Sequence, residues 1–196
     1  MALIPQIAAP GSAAVAPSFD APLVMLAECH RRVERQCATL ARLVPHLAAH
    51  GSDAPARDAA QAVLRYFDTA AVHHHADEEQ DLFPALIEAM AGSDAVCLRQ
   101  MSERVRTDHH ALDRRWAALR RTLQTVAGGE PARLDAAEVQ GFADAYAGHI
   151  AFEEAEVLPM AERLLDPSAL QRIGDAMRRR RGLPGGGDAA VPVPRT

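Results

Sequence analysis

Apolar residues recur at every third or fourth position along much of the chain. Between residue 22 and the segment GSDAP at 51–55, one such stripe passes through Leu23, Leu26, His30, Val33, Cys37, Leu40, Val44 and Leu47. This spacing is typical of an amphipathic helix that buries one face. The stripe includes a single histidine, His30, among its hydrophobic residues.

Three segments rich in Gly, Pro, Ser and Asp separate this stretch from three similar ones. They are GSDAP at 51–55, AGSD at 91–94 and GGEP at 128–131, and such clusters favour turns. The third stretch again carries one histidine in its stripe, His109, while the second carries His74 with Glu78 and the fourth carries His149 with Glu153. The pattern predicts an all-α protein, an up-down-up-down four-helix bundle with a histidine on the core face of each helix.

Outside the four predicted helices, the sequence indicates one further short helix and disorder at both ends. Asp166 followed by Pro167 is a typical helix start, so we expect a short C-terminal helix that ends near Arg179. The predicted organisation is a disordered N-terminal segment at 1–18, a helical domain at 19–181 and a disordered tail at 182–196.

An internal repeat connects the second and fourth helices. HHADEEQDLFP from His74 and HIAFEEAEVLP from His149 align without a gap as H-x-A-x-E-E-x-x-apolar-apolar-P. The chain is therefore interpreted as two copies of one helical hairpin.

The repeat also predicts where the four histidines lie along the bundle. Two residues on neighbouring antiparallel helices lie level when the turn falls midway between them in sequence. The midpoints between successive core histidines all fall within the three predicted turns. We expect four imidazoles at one level, joined by the two carboxylates that lie four residues after His74 and His149.

Such a layer calls for a bound cation. Burying unsatisfied ions costs several kcal/mol each, and four imidazoles cannot satisfy two carboxylates completely. Imidazole nitrogens suit iron, zinc, copper or manganese, and two carboxylates shared between two sites are typical of dinuclear centres. The donor set favours a pair of iron ions, with other divalent metals as alternatives.

The two motifs, each preceded by a helix with a lone histidine, resemble the hemerythrin-like HHE cation-binding domains over about residues 22–165. The resemblance implies a non-haem di-iron centre, oxo- or hydroxo-bridged, that meets O2, NO or peroxide in oxygen carriage, sensing, or iron protection and repair. Glu78 and Glu153 would be the bridging carboxylates. Oxygen carriers have a histidine and an aspartate where this chain has Asp113 and Glu153, so the resemblance does not extend to a five-histidine site. The metal ligands that it implies are His30, His74, Glu78, His109, His149 and Glu153.

Neighbouring polar residues have several possible roles. Glu79 and Glu154 are expected either to accept hydrogen bonds from ligand imidazoles or to lie on a solvated helix face. His73 and His75 flank His74, and one of them is an alternative source of a fifth nitrogen. His46 and His50 are predicted to lie on the surface. Glu34, His110 and Asp113 are candidates for contacts with the metal ligands.

Charge and composition exclude other classes of function. The net charge of −5 and the absence of a broad basic region argue against nucleic acid and anionic membranes as partners. No uncharged apolar run reaches the roughly 20 residues of a membrane span. The odd set Cys29, Cys37 and Cys97 has no CxxC pair, which favours a reducing, cytoplasmic location.

Three alternatives remain open. Ferritin-like oxidases use carboxylate-rich E-x-x-H sites, whereas this chain has H-x-x-x-E, so weak oxidase or peroxidase chemistry ranks below gas binding. A two-metal hydrolase would need a nucleophile or convergent cations that the sequence does not show. A metal-dependent interaction module would use MRRRR at 177–181 to bind an acidic partner, although such a run is also typical of a solvated helix end.

Overall fold

The computed structural model describes residues 18–90 and 95–184, and within these ranges helices joined by short loops are the only regular secondary structure. Four long helices form the bundle, and a fifth helix packs against it, which confirms the predicted fold class. The turn at 91–94 and most of the predicted disordered ends, 1–17 and 185–196, lie outside the described residues. The five helices are α1 (Pro22–His50), α2 (Ala54–Arg65, Tyr66–Ala70, Ala71–Asp77, Glu78–Leu82 and Phe83–Ala89), α3 (Ala95–Ala127), α4 (Ala136–Phe152, Glu153–Val157 and Leu158–Leu164) and α5 (Pro167–Arg180).

Aspartates begin three of these helices. The side chains of Asp53, Asp135 and Asp166 accept hydrogen bonds from backbone amides in the first turns of α2, α4 and α5. These bonds satisfy amides that have no partner within the helix. The helix boundaries therefore follow from short polar residues next to the predicted turns.

The repeated motif of α2 and α4 contains a π-helical turn in each copy. The turns span Glu78–Leu82 and Glu153–Val157, so each begins at the first glutamate of its motif and ends just before Pro84 or Pro159. A proline lacks an amide hydrogen and clashes with the carbonyl four residues earlier in a regular α-helix. The wider turn accommodates the proline. A regular helical period does not predict this feature, and such turns occur frequently at functional sites.

The hydrophobic core consists of two clusters separated by a polar layer. On α1, Leu26 belongs to one cluster and Val33 to the other, with the buried His30 between them. On α2 and α3 the same change of cluster occurs across the core histidine, and on α4 it occurs across Glu153, between Ile150 and Val157. Each helix thus contributes apolar residues above and below one shared layer.

The C-terminal helix α5 packs closely against the start of the described chain. A Cβ atom at Gly174 would collide with the carbonyl of Phe19, so only glycine permits this approach. Met177 on the same helix is fully buried in the cluster that contains Leu26. No helix in the described ranges is long and apolar enough to cross a membrane.

Candidate metal centre

The structure brings the six residues predicted from the sequence together in the polar layer. Each is at most 2% exposed, although all are ionisable. Long charged or polar side chains are rarely buried to this degree without partners. The six are His30, His74, Glu78, His109, His149 and Glu153.

Glu78 and Glu153 lie in the middle of this layer, each between two imidazoles. The carboxylate oxygens of Glu78 are 3.2 Å from Nε2 of His74 and 3.2 Å from Nε2 of His109. One oxygen of Glu153 is 3.1 Å from Nε2 of His30 and 3.4 Å from Nε2 of His149. Each glutamate therefore connects the histidine of its own helix to that of another.

These contacts define two groups of donors that share both carboxylates. Within each group, one donor atom of every residue lies within 4.8 Å of the others. The group on one side uses His30 and His74, and the group on the other uses His109 and His149. Glu78 and Glu153 belong to both groups, so their carboxylates are placed where they could be shared between two cations.

The buried donor atoms fit a cation better than they fit one another. Nε2 of His30, His109 and His149 and carboxylate oxygens of both glutamates have no hydrogen-bond partner with suitable angles, despite the short distances. A buried unsatisfied polar group costs about 1–3 kcal/mol. Lone pairs of imidazole and carboxylate can be satisfied by coordination to iron, zinc, copper or manganese.

The second glutamate of each motif orients an imidazole of another helix. Glu79 Oε1 accepts a hydrogen bond of 2.6 Å from Nδ1 of His109, and Glu154 Oε1 accepts one of 3.1 Å from Nδ1 of His30. Placing the proton on Nδ1 leaves the Nε2 lone pair directed at the buried layer. The predicted hydrogen-bonding role of Glu79 and Glu154 is confirmed.

His149 has no such hydrogen-bond acceptor at Nδ1, and its nearest acidic neighbour on that side is one that the sequence did not indicate. Its Nδ1 lies 3.8 Å from a carboxylate oxygen of Asp108, the residue before His109 on α3. An acidic residue next to a core histidine was the available signal. Recognising it required knowledge of how α3 faces α4.

Charges in the layer shift the pKa values of the histidines in opposite directions. Burial lowers the pKa of His109, but the carboxylates of Glu78 and Glu79 outweigh it and raise this pKa to about 9. Burial likewise opposes protonation of His30, and Glu153 and Glu154 raise its pKa overall. Burial and the neighbouring imidazoles hold the pKa of His74 well below its ordinary value.

The surroundings of Glu78 also favour the protonated form of its carboxyl group. Burial, followed by the charge of Glu153, raises the pKa of Glu78 to about 8. Protons therefore compete with a cation for this layer, and cation binding must release them.

The remaining candidates divide into three groups. Glu34, His110 and Asp113 are exposed, which means that their side chains point away from the layer. They therefore do not make the contacts with the ligands for which they were candidates. His46 hydrogen-bonds Asp53 at 2.9 Å near the first turn, and His50 is exposed, in agreement with their prediction as surface residues. His75, by contrast, is buried beside His109.

The arginine run at the end of α5 binds within the chain. Arg180 and Arg181 both form salt bridges with Asp77, which is 0% exposed and directly precedes Glu78; the Arg181 Nη2 to Asp77 Oδ2 distance is 2.6 Å. The interpretation as a solvated helix end is therefore wrong for these two residues, and the acidic group that they contact belongs to the chain itself. A buried carboxylate on α2 attracts them because it needs compensating charge.

Comparison with known proteins adds to this geometry. Residues 21–161 match the model of the family described as the hemerythrin HHE cation binding domain. The chain belongs to this family. In this HHE domain the matched region contains all six buried residues of the layer, and the resemblance stated from the sequence is confirmed. An uncharacterized protein of Haemophilus influenzae is 30% identical over 164 residues, which cover 84% of this chain and 92% of that relative.

Proposed function

We propose that this HHE domain binds two iron ions and uses them to bind or sense O2, NO or peroxide. The observation that carries the proposal is the pair of buried four-residue groups that share Glu78 and Glu153. A single mononuclear site would not need two such groups around two common carboxylates.

Each ion is bound by a different pair of histidines. His30 and His74 hold one ion, His109 and His149 hold the other, and the two inner glutamates reduce the repulsion between them, which is large in a low-dielectric core. When bound, the iron pair supplies redox-active metal and coordination positions for a small gas or oxidant. The surrounding apolar clusters exclude bulk water from both ions.

The donor set supports gas binding or sensing over oxidation. Four imidazoles and only two carboxylates stabilise high-valent iron less well than the carboxylate-rich sites of ferritin-like oxidases. The rival function as an interaction module depended on a free arginine run. Arg180 and Arg181 are engaged by Asp77, which weakens that alternative.

Metal analysis tests the proposal. Protein purified from iron-supplemented cells should contain about two Fe per chain, and His74→Ala or His149→Ala should each lose at least one. His50→Ala, in an exposed position on α1, is the matched control and should keep both. Zinc alone in the wild type, or full iron in both site variants, would contradict a di-iron centre.

Gas binding requires a second measurement on the loaded protein. Optical titration with O2 and with NO should change the absorption of the iron-loaded wild type after its two irons have been reduced anaerobically to the ferrous state with dithionite. The same titration of the iron-free protein provides the baseline. Two bound irons with no response to either gas or to peroxide would leave the metal assignment intact and refute the sensing function.

A further inference from the structure

We propose that an exogenous small ligand binds to the cation held by His109 and His149, and that His75 hydrogen-bonds this ligand without coordinating the metal. The proposal rests on the proposed function, because it requires cations in the layer. It deepens that function by assigning one side of the centre to ligand binding.

His75 is a buried imidazole with an unsatisfied nitrogen. The residue is 9% exposed, and its Nε2 is buried without a hydrogen-bond partner. Leaving such a group unpaired costs about 1–3 kcal/mol, so a partner at this position would be stabilised. A hydrophobic residue of similar size would fill the same space at no such cost.

The orientation of the ring excludes His75 as a metal ligand alongside His109. The two rings are stacked, with centroids 3.8 Å apart and planes inclined by only 12°. The lone pair of an imidazole nitrogen lies in the ring plane. A cation in the plane of His109 therefore lies well outside the plane of His75, and the two rings cannot coordinate it together in this arrangement.

The same position allows His75 to reach a ligand of that cation. One nitrogen of His75 lies within 4.8 Å of a nitrogen of His109 and of His149. The ring centroid of Tyr146 is 6.3 Å from that of His75 and 6.4 Å from that of His149. His75 thus lies next to the His109 and His149 donors and also near an aromatic residue of the core.

The other half of the centre has no equivalent group at this position. His75 follows His74 in the first motif, and Ile150 follows His149 in the second. Ile150 is 5% exposed and belongs to an apolar cluster. An isoleucine cannot donate a hydrogen bond, so the two halves of the repeat differ in the ability to stabilise a polar ligand.

Azide binding to the iron-loaded, di-ferric protein tests this inference. His75→Leu should retain the iron content and the di-ferric absorption of the wild type but weaken azide about tenfold, as expected for one lost hydrogen bond. His75→Gln keeps a donor and should recover part of the affinity. His110→Leu, at an exposed position on α3, and Ile150→Leu, at the position equivalent to His75, are controls and should bind azide as the wild type does.

A vibrational readout separates a hydrogen bond from a change in packing. The N–O stretching frequency of the NO adduct should shift in His75→Leu and stay unchanged in both controls. Loss of one iron in His75→Leu or His75→Gln would overturn the proposal, since His75 would then be a ligand. Unchanged azide affinity with both irons retained would overturn it as well. Failure of the wild type to hold two irons would be detected by metal analysis before any titration and would refute the proposed function itself.

Discussion

The two copies of the repeated motif share the residues of the polar layer and differ in what surrounds them. In both, a π-helical turn begins at the inner glutamate, and the next glutamate bonds an imidazole of another helix. The position before the inner glutamate is Asp77 in the first copy and Phe152 in the second. The shared residues build the donor layer, and the different ones connect it to separate parts of the fold.

The residues at the two differing positions, Asp77 and Phe152, both contact arginines, but one contact is a buried salt bridge and the other is an exposed cation–π contact. Asp77 is fully buried and binds two arginines of α5. Phe152 has the guanidinium carbon of Arg104 3.6 Å above its ring centroid, and this arginine side chain is 55% exposed. A buried carboxylate without its counter-ions is costly, whereas an exposed cation–π contact contributes little.

The largest expected effect is removal of the cations, which acts on the part that both copies share. A ligand that binds only the folded state at about 1,000 times its Kd stabilises it by about 4 kcal/mol. For a chain of this length, chelation should lower Tm by roughly 8–16 °C in a thermal scan. The double variant His74→Ala/His149→Ala is the control and should respond far less. Equal Tm values before and after verified metal removal from the wild type would contradict a cation site in the core.

The second-largest expected effect concerns a contact that only the first copy of the motif makes, the pairing of Asp77 with two arginines. Replacing Arg180 and Arg181 together by alanine leaves the carboxylate of Asp77 buried and unpaired, which should reduce the free energy of unfolding by about 3–5 kcal/mol. Chemical denaturation measures this loss. In the Asp77→Asn background the same double replacement should cost much less, as in a double-mutant cycle. Additive losses would show that the arginines stabilise α5 without acting through Asp77.

The corresponding change in the second copy should be small. Arg104→Ala removes an exposed cation–π contact and should cost about 0.5–1 kcal/mol in the same denaturation experiment. A loss as large as that of the Arg180/Arg181 variant would remove the distinction between the two copies.

The pH dependence of cation binding tests the charges within the layer. The folded-state pKa of His109 is raised to about 9 and that of Glu78 to about 8, each above its ordinary value. Their contribution to the stability of the chain without added metal is complete below the unfolded-state pKa and is lost as pH rises through the folded-state values. A cation displaces the same protons, so the metal-induced rise in Tm should grow from about pH 6 to about pH 9. A rise independent of pH would contradict this coupling.

The composition of the layer was predictable from the sequence because it depends on two simple quantities. The helical period puts His74 and Glu78 on one face, and the turn positions put His30 and His109 at the same level. Neither quantity depends on the details of packing. The roles of Glu79 and Glu154 needed the structure, since their acceptor geometry depends on how far the neighbouring helix is rotated.

Other features were not predictable for physical reasons. Asp77 binds arginines about 100 residues away in sequence, and only the docking of α5 brings them together. His73 and His75 flank His74 symmetrically on the helix, so the period alone does not tell which is enclosed. The stacking of His75 on His109 of α3 decides it.

The most direct test of a bridged di-cation layer is the iron content of four charge-removing variants. Glu78→Gln and Glu153→Gln preserve volume but delete a charge between the two cations, so each should retain about one iron and lose the di-ferric absorption. Glu79→Gln and Glu154→Gln should keep both irons, with at most about 10- to 100-fold weaker binding, because they only orient His109 and His30. Two irons in Glu78→Gln together with the loss of one in Glu79→Gln would contradict the assignment of the bridging carboxylates.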